Sequence, residues 1–191
     1  MSDKSKRRLF FCAVIAVCIG AFTVIYLYHF DETEDEINWD LTLIGKTEKV
    51  LTFADIRAMP SYEGYGGFFT TVGMKNGPFR CRGVPIEELC ELVGGINDSN
   101  TLWVSAPDGY LMVFTYDQVT GNFFAYEPTS LNEVPHVELE IILMYEKNGK
   151  RLSIGDGGPL RIAIVSDQKI MTEGHYWVKW IDNLEIRTPG I

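Results

Sequence analysis

The sequence is poor in the patterns that announce the commoner enzyme chemistries. It has four cysteines in 191 residues and no C-x-x-C pair, which removes zinc-ribbon and thioredoxin-type redox sites. A Gly-rich phosphate loop, a nucleophile elbow and an H-E-x-x-H helix are missing as well, so nucleotide, α/β-hydrolase and zincin chemistry have no foothold. Positive charge is scarce, with 17 Lys and Arg against 26 Asp and Glu and a net charge of −9. A surface of that sign repels phosphate backbones, and nucleic acid is excluded as a partner. There is no internal repeat, and the acidic stretch from Asp31 to Glu36 is the one biased linker.

Long apolar runs are absent too, with one exception. Leu9 to Tyr28 carries no charge, and at about 1.5 Å per residue a helix of that length spans the roughly 30 Å hydrocarbon layer. Lys4, Lys6, Arg7 and Arg8 precede it, and Asp31, Glu32, Glu34, Asp35 and Glu36 follow it. Basic flanks stay in the cytoplasm. The expected organisation is a basic cytoplasmic tail (1–8), a transmembrane helix (9–28), an acidic linker (29–36) and one extracytoplasmic domain (37–191). A cleaved signal peptide would show a shorter apolar core and an A-x-A site, and neither follows here. Ile15, Ala16 and Val17 match a lipoprotein cleavage ahead of Cys18 poorly.

Beyond residue 30 the chain holds 13 basic and 25 acidic residues, an excess that serves solvation and would also suit a basic protein partner. Cys12 and Cys18 fall in the apolar run, and Cys81 and Cys90 fall in the exported domain. Two thiols in an oxidising compartment can pair, but Cys90 sits among the apolar positions of an expected helix and reads as a buried structural thiol.

Trp39, Leu41 and Leu43 alternate with polar residues, and Val50 to Phe53 returns beside them, giving an opening hairpin. Phe53 to Met59 reads as a short helix stopped by Pro60. Ser61 to Gly73 reads as an irregular strand weakened at Gly66 and Gly67. Phe79 to Gly83 leads through Pro85 into a helix over Ile86, Leu89, Cys90 and Val93, which Gly94 and Gly95 end. Thr101 to Ala106 and Tyr110 to Thr115 flank a Pro-Asp-Gly turn, in which Asp108 is a turn former before it is an acid. Tyr116 to Val119 is a helical turn. Ile141 to Tyr145 and Arg151 to Ile154 flank Asn148-Gly149, the strongest turn signal in the chain. Leu160 to Val165 and His175 to Ile186 complete an α+β, mainly β domain. In that last strand alternation puts Trp177, Lys179 and Ile181 on one face. His136, Glu138 and Glu140 would share a strand face, a spacing able to hold a metal but more often simply solvated.

Several pieces match one known pattern in order. Trp39 opens a strand, a Thr-x-x-Asp-Ile helix ends at Met59-Pro60, and Arg82-Gly83-Val84-Pro85 precedes a helix. Asp108-Gly109-Tyr110, Gly157-Gly158-Pro159-Leu160-Arg161 and Trp177-Val178-Lys179-Trp180-Ile181 follow. Together, over roughly residues 37 to 187, they resemble the oxidoreductase molybdopterin-binding domain, the fold of sulfite-oxidase-type enzymes. The resemblance implies a pterin dithiolene carrying molybdenum, a protein thiolate completing the ligation, and oxo transfer at the metal. It also implies cofactor contacts at Arg82, Asp108, Tyr110, Arg161, His175 and Lys179.

The family's ligand cysteine precedes the Gly-Val-Pro turn by about a dozen residues, where this chain reads Thr70-Thr71-Val72-Gly73-Met74. Cys81 could take its place only by another loop path, and a buried thiol is the simpler reading. The favoured expectation is therefore a relative without the cofactor that binds a small ligand or a protein partner. The alternative is a molybdopterin-dependent oxidoreductase with atypical metal ligation.

Overall fold

The computed structural model describes residues 37–188. The expected membrane helix lies outside them. Among the described residues no helix is long and apolar enough to cross a membrane.

Two β-sheets carry the domain. The first runs β2 (Glu48–Thr52), β1 (Asp40–Ile44), β11 (Asn183–Arg187), β5 (Thr101–Ser105), β6 (Leu111–Thr115). Its central pair, β1 with β11, is parallel and joins the two ends of the domain. In β1, β5, β6 and β11 alternation leaves one apolar face: Leu41, Leu43, Leu102, Val104, Phe114 and Leu184 are buried. The second sheet runs β10 (Met171–Glu173), β3 (Tyr62–Phe69), β4 (Lys75–Pro85), β7 (Glu140–Lys147), β8 (Lys150–Arg151), with β9 (Arg161–Val165) also paired to β7. β9 is buried throughout, and Ile141 to Tyr145 in β7 are buried as well, the continuous apolar pattern of strands covered on both faces.

Short helices fill the corners. Helix α1 (Phe53–Ala58) starts at Thr52, whose hydroxyl accepts from the Asp55 N–H while the Asp55 carboxylate accepts from the Thr52 N–H. This reciprocal box satisfies two otherwise orphaned donors. Helix α2 (Ile86–Glu91) follows Pro85, and Gly94 and Gly95 leave it at φ of 109° and 76°. Its Leu89 and Cys90, with Val93, face Leu43, Leu102 and Leu184 of the first sheet across a tight crevice. Each such fully buried Leu contributes about 1.5–3 kcal/mol. A single turn, α3 (Tyr116–Val119), repeats the box with Thr115 and Gln118. Cys81 and Cys90 are both buried free thiols and do not pair.

Three expectations need correction. The strand expected from His175 to Ile186 is instead a 3-10 turn, Gly174–Tyr176, an irregular stretch, and β11 from Asn183 onward. Trp180 breaks the alternation: its φ is 55°, its N–H donates to Gly157 O at 2.9 Å, and its indole donates to Ile154 O at 3.0 Å. In consequence the neighbours Trp177 and Val178 are both buried while Lys179 is exposed. His136, Glu138 and Glu140 share no strand either. His136 has a φ of 60° and only Glu140 belongs to β7, and the described residues hold no cluster of metal-ligating side chains. The expected Arg151 to Ile154 strand is likewise only Lys150–Arg151, because Ser153 starts a 3-10 turn by accepting from the Asp156 N–H.

Candidate functional site

A solvent-open cavity of about 440 Å³ lies where the second sheet meets the β5–β6 turn. Phe68, Thr70 and Asn76 of the β3–β4 hairpin form one wall, Asp108 and Tyr110 another, and Gly174, His175 and Trp177 to Trp180 the rest, with Arg161 among them. Of the residues singled out in the sequence, Asp108, Tyr110, Arg161, His175 and Lys179 are thus brought together. Arg82 and Cys81 are not.

Arg161 is the unusual group. It is only 7% exposed. Its guanidinium lies over the rings of Phe68 and Trp177, 4.8 and 5.6 Å from their centroids. One terminal nitrogen donates to the Asp156 carbonyl at 2.7 Å, and Nε is buried with no partner. Burial pulls the group down to about 10, against the opposing field of Asp156, so it stays protonated at neutral pH. A buried cation with an unused donor is costly unless an anion meets it. The Asp156 carboxylate does not fill that role, being engaged by Lys147 and by the Ser153 hydroxyl.

The surroundings fix the cavity walls. The Trp177 indole donates to Thr172 Oγ1 at 2.8 Å, and the Thr172 hydroxyl donates to Gly67 O at 3.4 Å, which ties the 3-10 segment to β3. β9 approaches β3 closely at Gly66, where a Cβ would stand 2.2 Å from Ile164 O. Gly157 has a φ of 92°, and a Cβ there would meet Lys179 Cγ at 2.5 Å. The glycine therefore leaves room for the Lys179 stem, whose ammonium stands 5.5 Å from the Trp180 ring. The Asp108 carboxylate accepts from the Tyr110 N–H at 2.9 Å, as a turn former does. Tyr110 Oη donates to His175 O at 3.3 Å, and His175 Nδ1 stands 3.3 Å from Glu173 Oε2.

Cys81 faces inward on β4, and Arg82 beside it faces out, where its Nε donates to the Ser61 hydroxyl at 2.9 Å. The thiol has no exposure and packs with Ile142, Met144, Ala163, Val165 and Trp177. Burial pushes it up to about 12, in spite of a Gly66 hydrogen bond and the fields of Arg161 and Lys147.

A family model for the oxidoreductase molybdopterin binding domain matches residues 29–189. The chain belongs to this family. The crystal structure of the sulfane dehydrogenase SoxCD from Paracoccus pantotrophus is similar in fold, with a TM-score of 0.61 at 18% identity. The match covers 82% of this chain and 40% of that one, so this chain spans about two fifths of that neighbour's length. No curated protein matches the chain.

For a molybdopterin-binding domain, the donor set fits one half of the cofactor and not the other. Arg161, Lys179 and the aromatic walls suit an anionic, planar group. Among the described residues a protein thiolate for the metal has no counterpart: neither described cysteine lines the cavity, and the Cys81 side chain is fully buried. The sequence pattern missed Phe68, Asn76 and Glu173. The aromatic content of the Ser61 to Gly73 segment signalled the first, and nothing local marked the other two.

Proposed function

We propose that this domain is a ligand-binding member of the molybdopterin-binding family that receives a planar, anionic heterocycle in the Arg161 cavity without a protein–metal bond. The observation that carries the reading is the cationic Arg161 side chain that lines the cavity beside the Phe68 and Trp177 rings. Guanidinium forks favour oxyanions, and flat rings favour flat ligands. Family membership makes a pterin the first ligand to test. The N-terminal apolar run and its charge asymmetry support an anchored, extracytoplasmic placement. The acidic surface supports a basic protein as a second partner.

The test uses the full-length protein purified from cells that make molybdopterin. Molybdenum content and the fluorescence of oxidised pterin are measured, and pterin-6-carboxylate is titrated by calorimetry. Binding of the pterin acid without stoichiometric molybdenum is the expected result. Stoichiometric molybdenum would overturn it in favour of an oxidoreductase with atypical ligation. Protease protection in intact cells checks the placement, since an exported domain is digested from outside.

A further inference from the structure

His175 is held in one orientation by three groups. Its backbone carbonyl accepts from the Tyr110 hydroxyl at 3.3 Å, its ring lies 3.9 Å from the Tyr176 ring centroid, and its Nδ1 stands 3.3 Å from Glu173 Oε2. Tyr176 is itself fixed, accepting from the Gln118 amide at 3.2 Å and packing on Phe123. A carboxylate only accepts hydrogen bonds, so Glu173 keeps a proton on Nδ1 whether the imidazole is neutral or charged. The remaining nitrogen, Nε2, is then a lone pair in the neutral ring and an N–H donor in the protonated one. For an anion in the cavity that difference is a change of sign.

We propose that the Glu173–His175 pair is a specificity element of the ligand cavity, in which His175 adds a third cationic contact to a bound anion when protonated and withdraws it when neutral. The inference rests on the ligand-binding reading of the same site. The other groups facing His175 do not supply the switch. Arg161 stays cationic at physiological pH. Asp108 is held by the Tyr110 N–H, and burial raises the Tyr176 phenol, which stays neutral there. Of the kinds of side chain in the cavity, an imidazole is the one able to gain or lose a proton near neutral pH. Because His175 is about half exposed, solvent screening keeps the effect moderate, at about three- to tenfold in affinity.

Calorimetric titration of the full-length protein with pterin-6-carboxylate at about pH 5.5 and about pH 7.5 tests this. The wild type should bind three- to tenfold more tightly at the lower pH. His175→Gln should lose most of that ratio, which also cancels any titration of the ligand itself. Glu173→Gln is the sharper test. The Gln amide can donate to Nδ1 and so places the proton of the neutral ring on Nε2. Its affinity at pH 7.5 should therefore rise toward the pH 5.5 value, and the gain should vanish when Glu173→Gln is combined with His175→Gln, which separates the imidazole proton from the mere loss of a carboxylate charge near the anion. Binding whose pH ratio is the same in wild type and His175→Gln overturns the inference alone, as does a Glu173→Gln variant weakened at both pH values. No binding at either pH overturns the ligand-binding reading and this inference with it.

Discussion

Replacing Arg161 by methionine separates a binding role from a structural one. Burial holds the Arg161 guanidinium well below its ordinary value, down to about 10, a drop that corresponds to about 3 kcal/mol of disfavoured charge at about 1.4 kcal/mol per tenfold change. The folded value lies below the unfolded one, so this penalty acts in full below about pH 10 and fades as pH rises from there toward the unfolded value. Arg161→Met removes it. The substitution also loses the contacts with Phe68 and Trp177, together about 1 kcal/mol, and leaves the Asp156 carbonyl without its donor, at about 1–2 kcal/mol. The balance is near zero. Urea unfolding should therefore place the variant within about 1 kcal/mol of the wild type, while its affinity for pterin-6-carboxylate falls about 100-fold, the loss expected for a charge-assisted bidentate contact. A variant destabilised by more than about 2 kcal/mol with unchanged affinity would refute the reasoning, because Arg161 would then be a structural cation.

Cys81→Ala should lower stability by about 1–2 kcal/mol through the small cavity it leaves and leave pterin binding unchanged, and Ellman's reagent should label neither Cys81 nor Cys90 before unfolding. Gly157→Ala, at φ 92° and facing the Lys179 stem, should cost about 1–2 kcal/mol and weaken ligand binding, as read by thermal melts and calorimetry together. Asp156 is held below the ordinary carboxylate range, first by its hydrogen bond to Lys147. Its contribution is present above the unfolded value near 3.8 and is lost as pH falls through the lower folded value. Lys147→Met should therefore flatten the acid limb of the stability curve between about pH 5 and 2, and an unchanged limb would remove that pair from the account.

Much of the architecture was legible because local chemistry decided it. Asn148 and Gly149 turn at φ of 53° and 75°, as the dipeptide demands, and Pro85 with Gly94 and Gly95 brackets α2. The alternation that sends Cys81 inward and Arg82 outward holds in β4. What failed was the last expected strand: Trp177 to Ile181 has a β-like composition, and only the long-range bonds from Trp180 to Gly157 and Ile154 bend it out of register. The same limit applies to the cavity. The Gly-Gly-Pro-Leu-Arg sequence offers an arginine, but its burial under Phe68, more than ninety positions earlier, is a property of the fold. Glu173 gains meaning only once the 3-10 turn swings His175 back toward it.

The parallel pairing of β1 with β11 has a consequence for synthesis on the ribosome. Until Arg187 has left the exit tunnel, β1 and β5 have no strand between them, and the first sheet exists only as two separate hairpins, β1–β2 and β5–β6. A nonsense codon between Thr115 and Asn183 leaves it in that state, with the two hairpins unjoined for chaperones or proteases to find.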